Sequence, residues 1–259
     1  MFAVECFKML RAITRAVSPS MDACELTFLK REPIDIVRAQ VQHQAYEECL
    51  RELGVDVITL PAETDYPDGV FVEDGAIVLD EVAVMTRLGA VSRRGESASL
   101  AQALEPYRTL RWMSDPATLD GGDVMLAGKT LYVGVTARSN AAGIAQLAAV
   151  VEPFGYHVQP VLVHGCLHLK SACSYIGDAV MVYCPWVDVA AFAGLRLVDA
   201  PEESGANVLD VAGTVLVAST APQTADLLSK MGRQVGVLDN SELMKAEGAL
   251  TCCSLLFRT

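Results

Sequence analysis

Residues 118–163 read TLDGGDVMLAGKTLYVGVTARSNAAGIAQLAAVVEPFGYHVQPVLV. Two β-like runs, Thr118–Leu126 and Thr130–Val135, flank Gly128 and read as a hairpin. Asn140–Phe154 then carries apolar residues at helical spacing and stops near Gly155. A third β-like run, His157–Val163, follows. The unit is strand, strand, helix, strand.

The same plan recurs along the chain. Val70–Asp74 leads through Gly75 to Ala76–Leu79 and Val82–Thr86, and Leu167–Tyr175 leads through Gly177 and Asp178 to Ala179–Tyr183. Asn207–Val211 leads through Gly213 to Thr214–Ala218, and Ala249–Phe257 is a last copy that stops short. Helical patterns also cover Asp35–Leu53, closed by Gly54, and Thr224–Met231, ended by Gly232. They lead into Val55–Leu60 and Gln234–Leu238. Asp74, Asp120, His168, Asn207 and Cys252 occupy comparable places in the plan, at intervals of 46, 48, 39 and 45 residues. A period in this range marks units that bury a shared core by packing side by side. Five such units can close into a ring if the last borrows a strand and a helix from the N-terminus. An open α/β sheet also yields such alternation by chance, so the periodicity needs the support of the motifs. No linker or low-complexity stretch interrupts the chain, and one domain over residues 1–259 is expected.

Composition narrows the function. The chain of 259 residues is 52% hydrophobic and 20% charged, enough apolar surface for a core and against disorder. The net charge of −12 argues against a nucleic-acid partner, which needs clustered Lys and Arg. It suits a small cationic ligand and equally suits simple solubility. Glu5, Lys8 and Arg11 interrupt the N-terminal apolar stretch, and no cleavage pattern follows, so no targeting signal is expected. No segment has the length to span a bilayer, and a cytoplasmic location is expected. Eight cysteines include no CxxC pair, which points to buried free thiols rather than disulfides or metal.

Four polar clusters interrupt the apolar runs, where charge is costly unless paired or used. Asp68, Glu73 and Asp74 flank Val70-Phe71-Val72, and paired carboxylate oxygens match the planar fork of a guanidinium. Asp120 and Asp123 bracket Gly121-Gly122. His168 sits in Leu167-His168-Leu169-Lys170-Ser171, an imidazole suited to acid–base work near neutral pH. His164 is its rival, while His43 and His157 read as structural or exposed. The last cluster is Thr251-Cys252-Cys253-Ser254. Read as a strand, it turns its two cysteines to opposite faces, one available as a nucleophile and the other packed. Each cluster taken alone reads as well as a turn, a core histidine or a pair of buried thiols.

Their order along the chain says more. PDGVFVED, TRLGAVSRR, LDGGDV, LHLKS and EGALTCCS in succession resemble the dimethylarginine dimethylaminohydrolases, of the amidine-modifying or pentein superfamily, from Arg15 to Cys253. The extra helical insertion of the longer arginine deiminases is missing. The resemblance implies an α/β five-fold propeller of ββαβ modules and hydrolysis of Nω-methylated arginines to citrulline and an amine. It implies Cys252 as nucleophile, His168 as general acid and base, and Asp120 as the group that orients the imidazole. Asp74, with Glu73 beside it, would grip the guanidinium. Asp68 and the Val17 backbone would meet the α-amino group, Arg93 and Arg138 the α-carboxylate, and the Ala246 backbone would line the pocket. The region from Val17 to Cys24 would form a mobile lid, although its match is loose and Gly69 departs from the family pattern. The expected ligand is a small guanidino amino acid, with no metal or cofactor, no nucleic acid and no membrane; a homodimer is left open. The alternatives are a deiminase of free arginine or another guanidine on the same residues, and a non-catalytic pentein that binds a partner. A dinucleotide-binding open sheet would want G-x-G-x-x-G after the first strand, and that pattern does not occur.

Overall fold

The helix at the centre of the quoted stretch shows how local chemistry builds one module. In the computed structural model, which describes residues 9–259, the helix runs Ala141–Val151. The Asn140 side chain caps it by accepting from Gly143 N–H at 2.8 Å. Gly143, Leu147 and Val151, four residues apart, form its buried stripe. A short turn, Glu152–Phe154, ends it at Gly155, whose left-handed φ of 79° suits glycine. Burying a leucine such as Leu147, fully enclosed here, contributes about 1.5–3 kcal/mol. Glu5 and Lys8, weighed above, and Cys6, one of the eight cysteines, lie outside the described residues.

Five three-stranded sheets repeat one topology: an antiparallel pair, then a crossover to a third strand parallel to the middle one. Ala76–Val78, Val82–Met85 and Thr109–Trp112 form one sheet, and Val124–Ala127, Thr130–Val135 and His157–Leu162 the next. Cys173–Tyr175, Val180–Val182 and Leu197–Asp199 form the following one, and Leu209–Val211, Thr214–Ala218 and Gln234–Leu238 the one after it. The fifth joins both ends of the chain. Leu10–Arg15 pairs antiparallel with Leu255–Arg258, setting Ile13 opposite Leu255, and parallel with Asp56–Leu60, setting Ile13 beside Ile58. The helix Ile36–Glu52 crosses over between the two N-terminal strands. The borrowed strand and helix stand where the repeat required them. Third strands are largely exposed, whereas middle strands are buried. First strands face the centre: Ile77, Met125, Ser174, Leu209 and Leu255, one from each module, line an axial cavity of about 310 Å³.

The structure departs from the expected elements in three ways. The polar clusters lie not within strands but on short 3₁₀ or single helical turns just before each first strand: Val72–Gly75, Gly121–Asp123, Leu169–Ala172 and Thr251–Cys253. Alternating runs such as Val-Phe-Val-Glu-Asp look like strand, but the turn closes on local backbone bonds such as Asp74 N–H to Phe71 O. The third module, Cys173–Asp199, has no crossover helix, only the turns Cys184–Trp186 and Val189–Phe192, which accounts for its short interval of 39 residues. A helix at Ser97–Leu104 was not anticipated. Seven cysteines are free among the described residues, as expected, yet Cys184 is exposed and Cys49 only half-buried. No helix among the described residues is long and apolar enough to cross a membrane.

Candidate active site

Because the turns precede strands that converge on the axis, they gather their side chains at one end of the ring. Asp68, Asp74, Arg93, Arg138, His168, Ala246 and Cys252 border a single narrow pocket of about 10 Å³, together with Glu25 and Glu247. The exposed His164 is not part of it.

His168 stands between two carboxylates. Its Nε2 lies 3.1 Å from Asp120 Oδ2, and its Nδ1 lies 3.9 Å from Asp74 Oδ1. Asp120 is fully buried and its second oxygen accepts from Gly89 N–H at 2.8 Å. Asp74 accepts from Gly122 N–H at 2.9 Å and from Arg93 Nη1 at 2.8 Å. A side chain at Gly122 would place Cβ 2.5 Å from His168 Nδ1, so a glycine is required there. Asp123, read above only as one of two acids, accepts from Leu169 N–H at 2.9 Å and anchors the turn that His168 begins. Asp74, Asp120 and His168 each place a ligand atom within 4.8 Å of the others, close enough to hold a small cation.

The electrostatics follow from burial and from these acids. Burial alone would lower the His168 pKa, but Asp74, the Asp120 hydrogen bond and Asp123 outweigh it and raise it to about 9. Burial would raise Asp74, but the His168 and Arg93 charges hold its carboxyl well below the usual range. Burial, then the Glu73 and Asp74 carboxylates, push the Cys252 thiol up to about 12. At neutral pH these groups stand as an imidazolium and a neutral thiol. Because the folded pKa of His168 exceeds the unfolded one, its pairing stabilises the fold below about pH 6.5. That contribution is lost as pH rises through about 9. We expect NMR of the His168 imidazole to show it protonated at pH 8, and Asp74→Asn to move its midpoint downward. An unchanged midpoint in that variant would contradict Asp74 as the main source of the shift.

Cys252 and Cys253 diverge as expected, although they do so on a turn rather than a strand. Cys252 borders the pocket. Cys253 is 1% exposed in the core against residues that include Tyr46, and its Sγ donates to Ala249 O.

Three residues sit differently from their expected roles. Arg93 borders the pocket, but Glu96 engages its Nε and Nη2 at 2.9 Å each, and Asp74 takes its Nη1. Arg138, in contrast, has a buried Nη1 with no hydrogen-bond partner, 3.7 Å from Asp120, while its Nη2 donates to Thr27 Oγ1 at 3.1 Å. Glu73 points away from the pocket, its oxygens taken by Lys170 Nζ at 2.5 Å and Thr251 Oγ1 at 2.9 Å. Val17 lines a separate groove with His43 and Glu47.

The segment over the pocket starts later in the chain than the resemblance implied. Glu25 N–H donates to Asp68 Oδ2 at 3.0 Å. The N–H groups of Thr27, Phe28 and Leu29 all point at the Glu247 carboxylate. Nothing in the sequence signalled this strap, since its anchor lies about 220 residues away.

A family model described as N,N dimethylarginine dimethylhydrolase, eukaryotic, matches residues 15–240. The chain is 40% identical over 251 residues to a dimethylarginine dimethylaminohydrolase of Streptomyces coelicolor, covering 96% of this chain and 97% of that protein. A structure of the Pseudomonas aeruginosa dimethylarginine dimethylaminohydrolase, a cysteine-to-serine mutant complexed with citrulline, superposes with a TM-score of 0.91 at 30% identity, over 97% of this chain and 100% of that one. The N-terminal domain of ArgZ, a cyanobacterial arginine dihydrolase, superposes with a TM-score of 0.84 at 18% identity, over 96% and 97% of the two chains, a likeness of fold alone.

Proposed function

The chain belongs to the dimethylarginine dimethylaminohydrolase family, and on that premise we propose that it hydrolyses Nω-methylated arginines to citrulline and dimethylamine or methylamine through a covalent thiouronium on Cys252. One observation carries the reading: a single narrow pocket joins the Cys252 thiol, the His168 imidazole and the Asp68 and Asp74 carboxylates to Arg138, whose buried Nη1 has no hydrogen-bond partner. A planar cation with a carboxylate tail satisfies those groups together.

Asp74 faces the guanidinium, whose carbon is a poor electrophile because its charge is delocalised. The bound cation offsets the acids that hold the Cys252 proton, so the substrate itself favours the thiolate, and the thiol proton leaves to solvent because His168 is already protonated. The sulfur attacks the guanidinium carbon, and a tetrahedral adduct forms. His168 gives its proton to the methylated nitrogen as the C–N bond breaks, and the amine departs. The neutral imidazole then takes a proton from water as the water oxygen bonds to the thiouronium carbon. The C–S bond breaks as the hydroxyl proton of that adduct leaves to solvent, the thiolate returns and neutral citrulline is released. Proton transfer of this kind contributes on the order of 10²–10⁴ in rate. Asp120 holds Nε2, which leaves Nδ1 to exchange the proton.

Asp68 and Arg138 receive the α-amino and α-carboxylate groups in this reading. Both also touch the strap, Asp68 through Glu25 N–H and Arg138 through Thr27 Oγ1, which places the strap against the substrate's amino-acid end. Arg93 acts one step back by holding Asp74. Glu25, whose backbone reaches Asp68, stands where Val17 was expected. The free thiols, with Cys184 exposed, support a reducing compartment such as the cytoplasm. The five modules act as one catalytic domain.

Arg138→Ala is expected to raise KM for dimethylarginine roughly tenfold to a hundredfold, the scale of one lost charged hydrogen bond. KM for a methylated guanidine without a carboxylate should stay within about threefold, and equal changes for both substrates would count against the clamp. The function itself is tested by citrulline release from arginine, monomethylarginine and asymmetric dimethylarginine side by side. Release from the methylated substrates supports it; release from arginine alone overturns it in favour of a deiminase.

A further inference from the structure

Asp74, Asp120, His168, Asn207 and Cys252 each stand just before the first strand of a module, on or beside a short turn, and the chemistry above uses four of them. The fifth, Asn207, is buried and does not border the pocket. Its amide is spent on the two turns beside it. Nδ2 donates to Lys170 O at 2.9 Å and to Thr251 Oγ1 at 3.0 Å, and Oδ1 accepts from Thr251 N–H at 3.3 Å. Lys170 lies in the turn that His168 begins, and Thr251 opens the turn that carries Cys252. Thr251 Oγ1 gives its own proton to Glu73, which also binds Lys170 Nζ. The bonds thus run in a closed circuit behind the catalytic residues, through Asn207, Thr251, Glu73 and Lys170.

We propose that Asn207 is a positioning residue that fixes the Cys252 sulfur relative to the His168 imidazole; this rests on the hydrolase reading of the site. The turns at His168 and Cys252 are a few residues long and carry few hydrogen bonds of their own, so cross-links between them decide their relative placement. Asn207 supplies three such bonds from one rigid amide. Groups that exchange a proton and form a covalent bond with one substrate must be held within about 0.5 Å. A misplacement of about 1 Å is enough to lose roughly 10²-fold in rate. Aspartate has the same shape but cannot donate to Lys170 O or Thr251 Oγ1, so it tests the bonds apart from the packing.

The experiment assays Asn207→Ala, Asn207→Asp, Thr251→Val and the Asn207→Ala/Thr251→Val double variant beside the wild type on dimethylarginine, with fold and Tm followed by circular dichroism. The kcat of both Asn207 variants should fall about 10²-fold with KM within about threefold, since the loss is one of alignment. Thr251→Val should lose about tenfold, and the double variant should be no worse than Asn207→Ala, because both changes break one set of bonds. A folded Asn207 variant with near wild-type kcat, a loss confined to KM, an unaffected Thr251→Val, or a double variant at the product of the single losses would each overturn the proposal. If Asn207→Ala does not fold, the isosteric Asn207→Asp and Thr251→Val carry the same test. A wild type inactive on dimethylarginine would sink the hydrolase reading instead.

Discussion

Cys252→Ser should lose turnover by roughly 10⁴-fold or more, the scale seen when a covalent nucleophile is removed. Cys253→Ser should keep kcat within about threefold. The two thiols are neighbours in sequence and share a turn, so only their surroundings separate them. Cys252 borders the pocket that holds His168 and Asp74. Cys253 is enclosed in the core and donates to Ala249 O, a bond that serine can reproduce. The high thiol pKa does not weaken the assignment, because the Glu73 and Asp74 charges that contribute to it are countered by a bound guanidinium. An inactive Cys253→Ser beside an active Cys252→Ser would reverse the assignment.

Gly122→Ala should lose at least about 10²-fold in kcat, the expected loss for a misplacement near 1 Å, while the protein still folds. The new methyl would lie 2.5 Å from His168 Nδ1 and 2.8 Å from Asp74 Oδ1. Neither neighbour has room to retreat: Asp120 holds the far side of the imidazole, and Arg93 holds Asp74. The clash therefore falls on the acid–base pair and largely spares the hairpin that follows. Steady-state kinetics with a parallel thermal melt decide the matter, and wild-type kcat in the folded variant would contradict the described packing.

The sequence carried the fold through its period. The helix Ala141–Val151 announces itself through the Asn140 cap, a four-residue apolar stripe and Gly155. The helix Ser97–Leu104 has eight residues and no side-chain cap, so it offered no comparable signal. The residue types of the site were legible because charge inside apolar runs is rare. Which atoms meet was less so. The bidentate Arg93–Glu96 pair looks like an ordinary surface pair three residues apart, yet with Asp74 it engages all three guanidinium nitrogens expected to bind substrate. Glu73 finds Lys170 from 97 residues away, and Glu247 finds the strap from about 220. Contacts of that range arise from ring closure, which no local pattern records. Asn207 was visible as the fifth member of the repeat, but only its hydrogen bonds give it a role.

Acid-quenched reaction with asymmetric dimethylarginine, followed by peptide mapping in the mass spectrometer, tests the covalent route most directly. The expected species is Cys252 heavier by the mass of dimethylarginine less dimethylamine, formed and consumed at rates compatible with turnover. An adduct on Cys253, or citrulline formed with no adduct on either thiol, would contradict it.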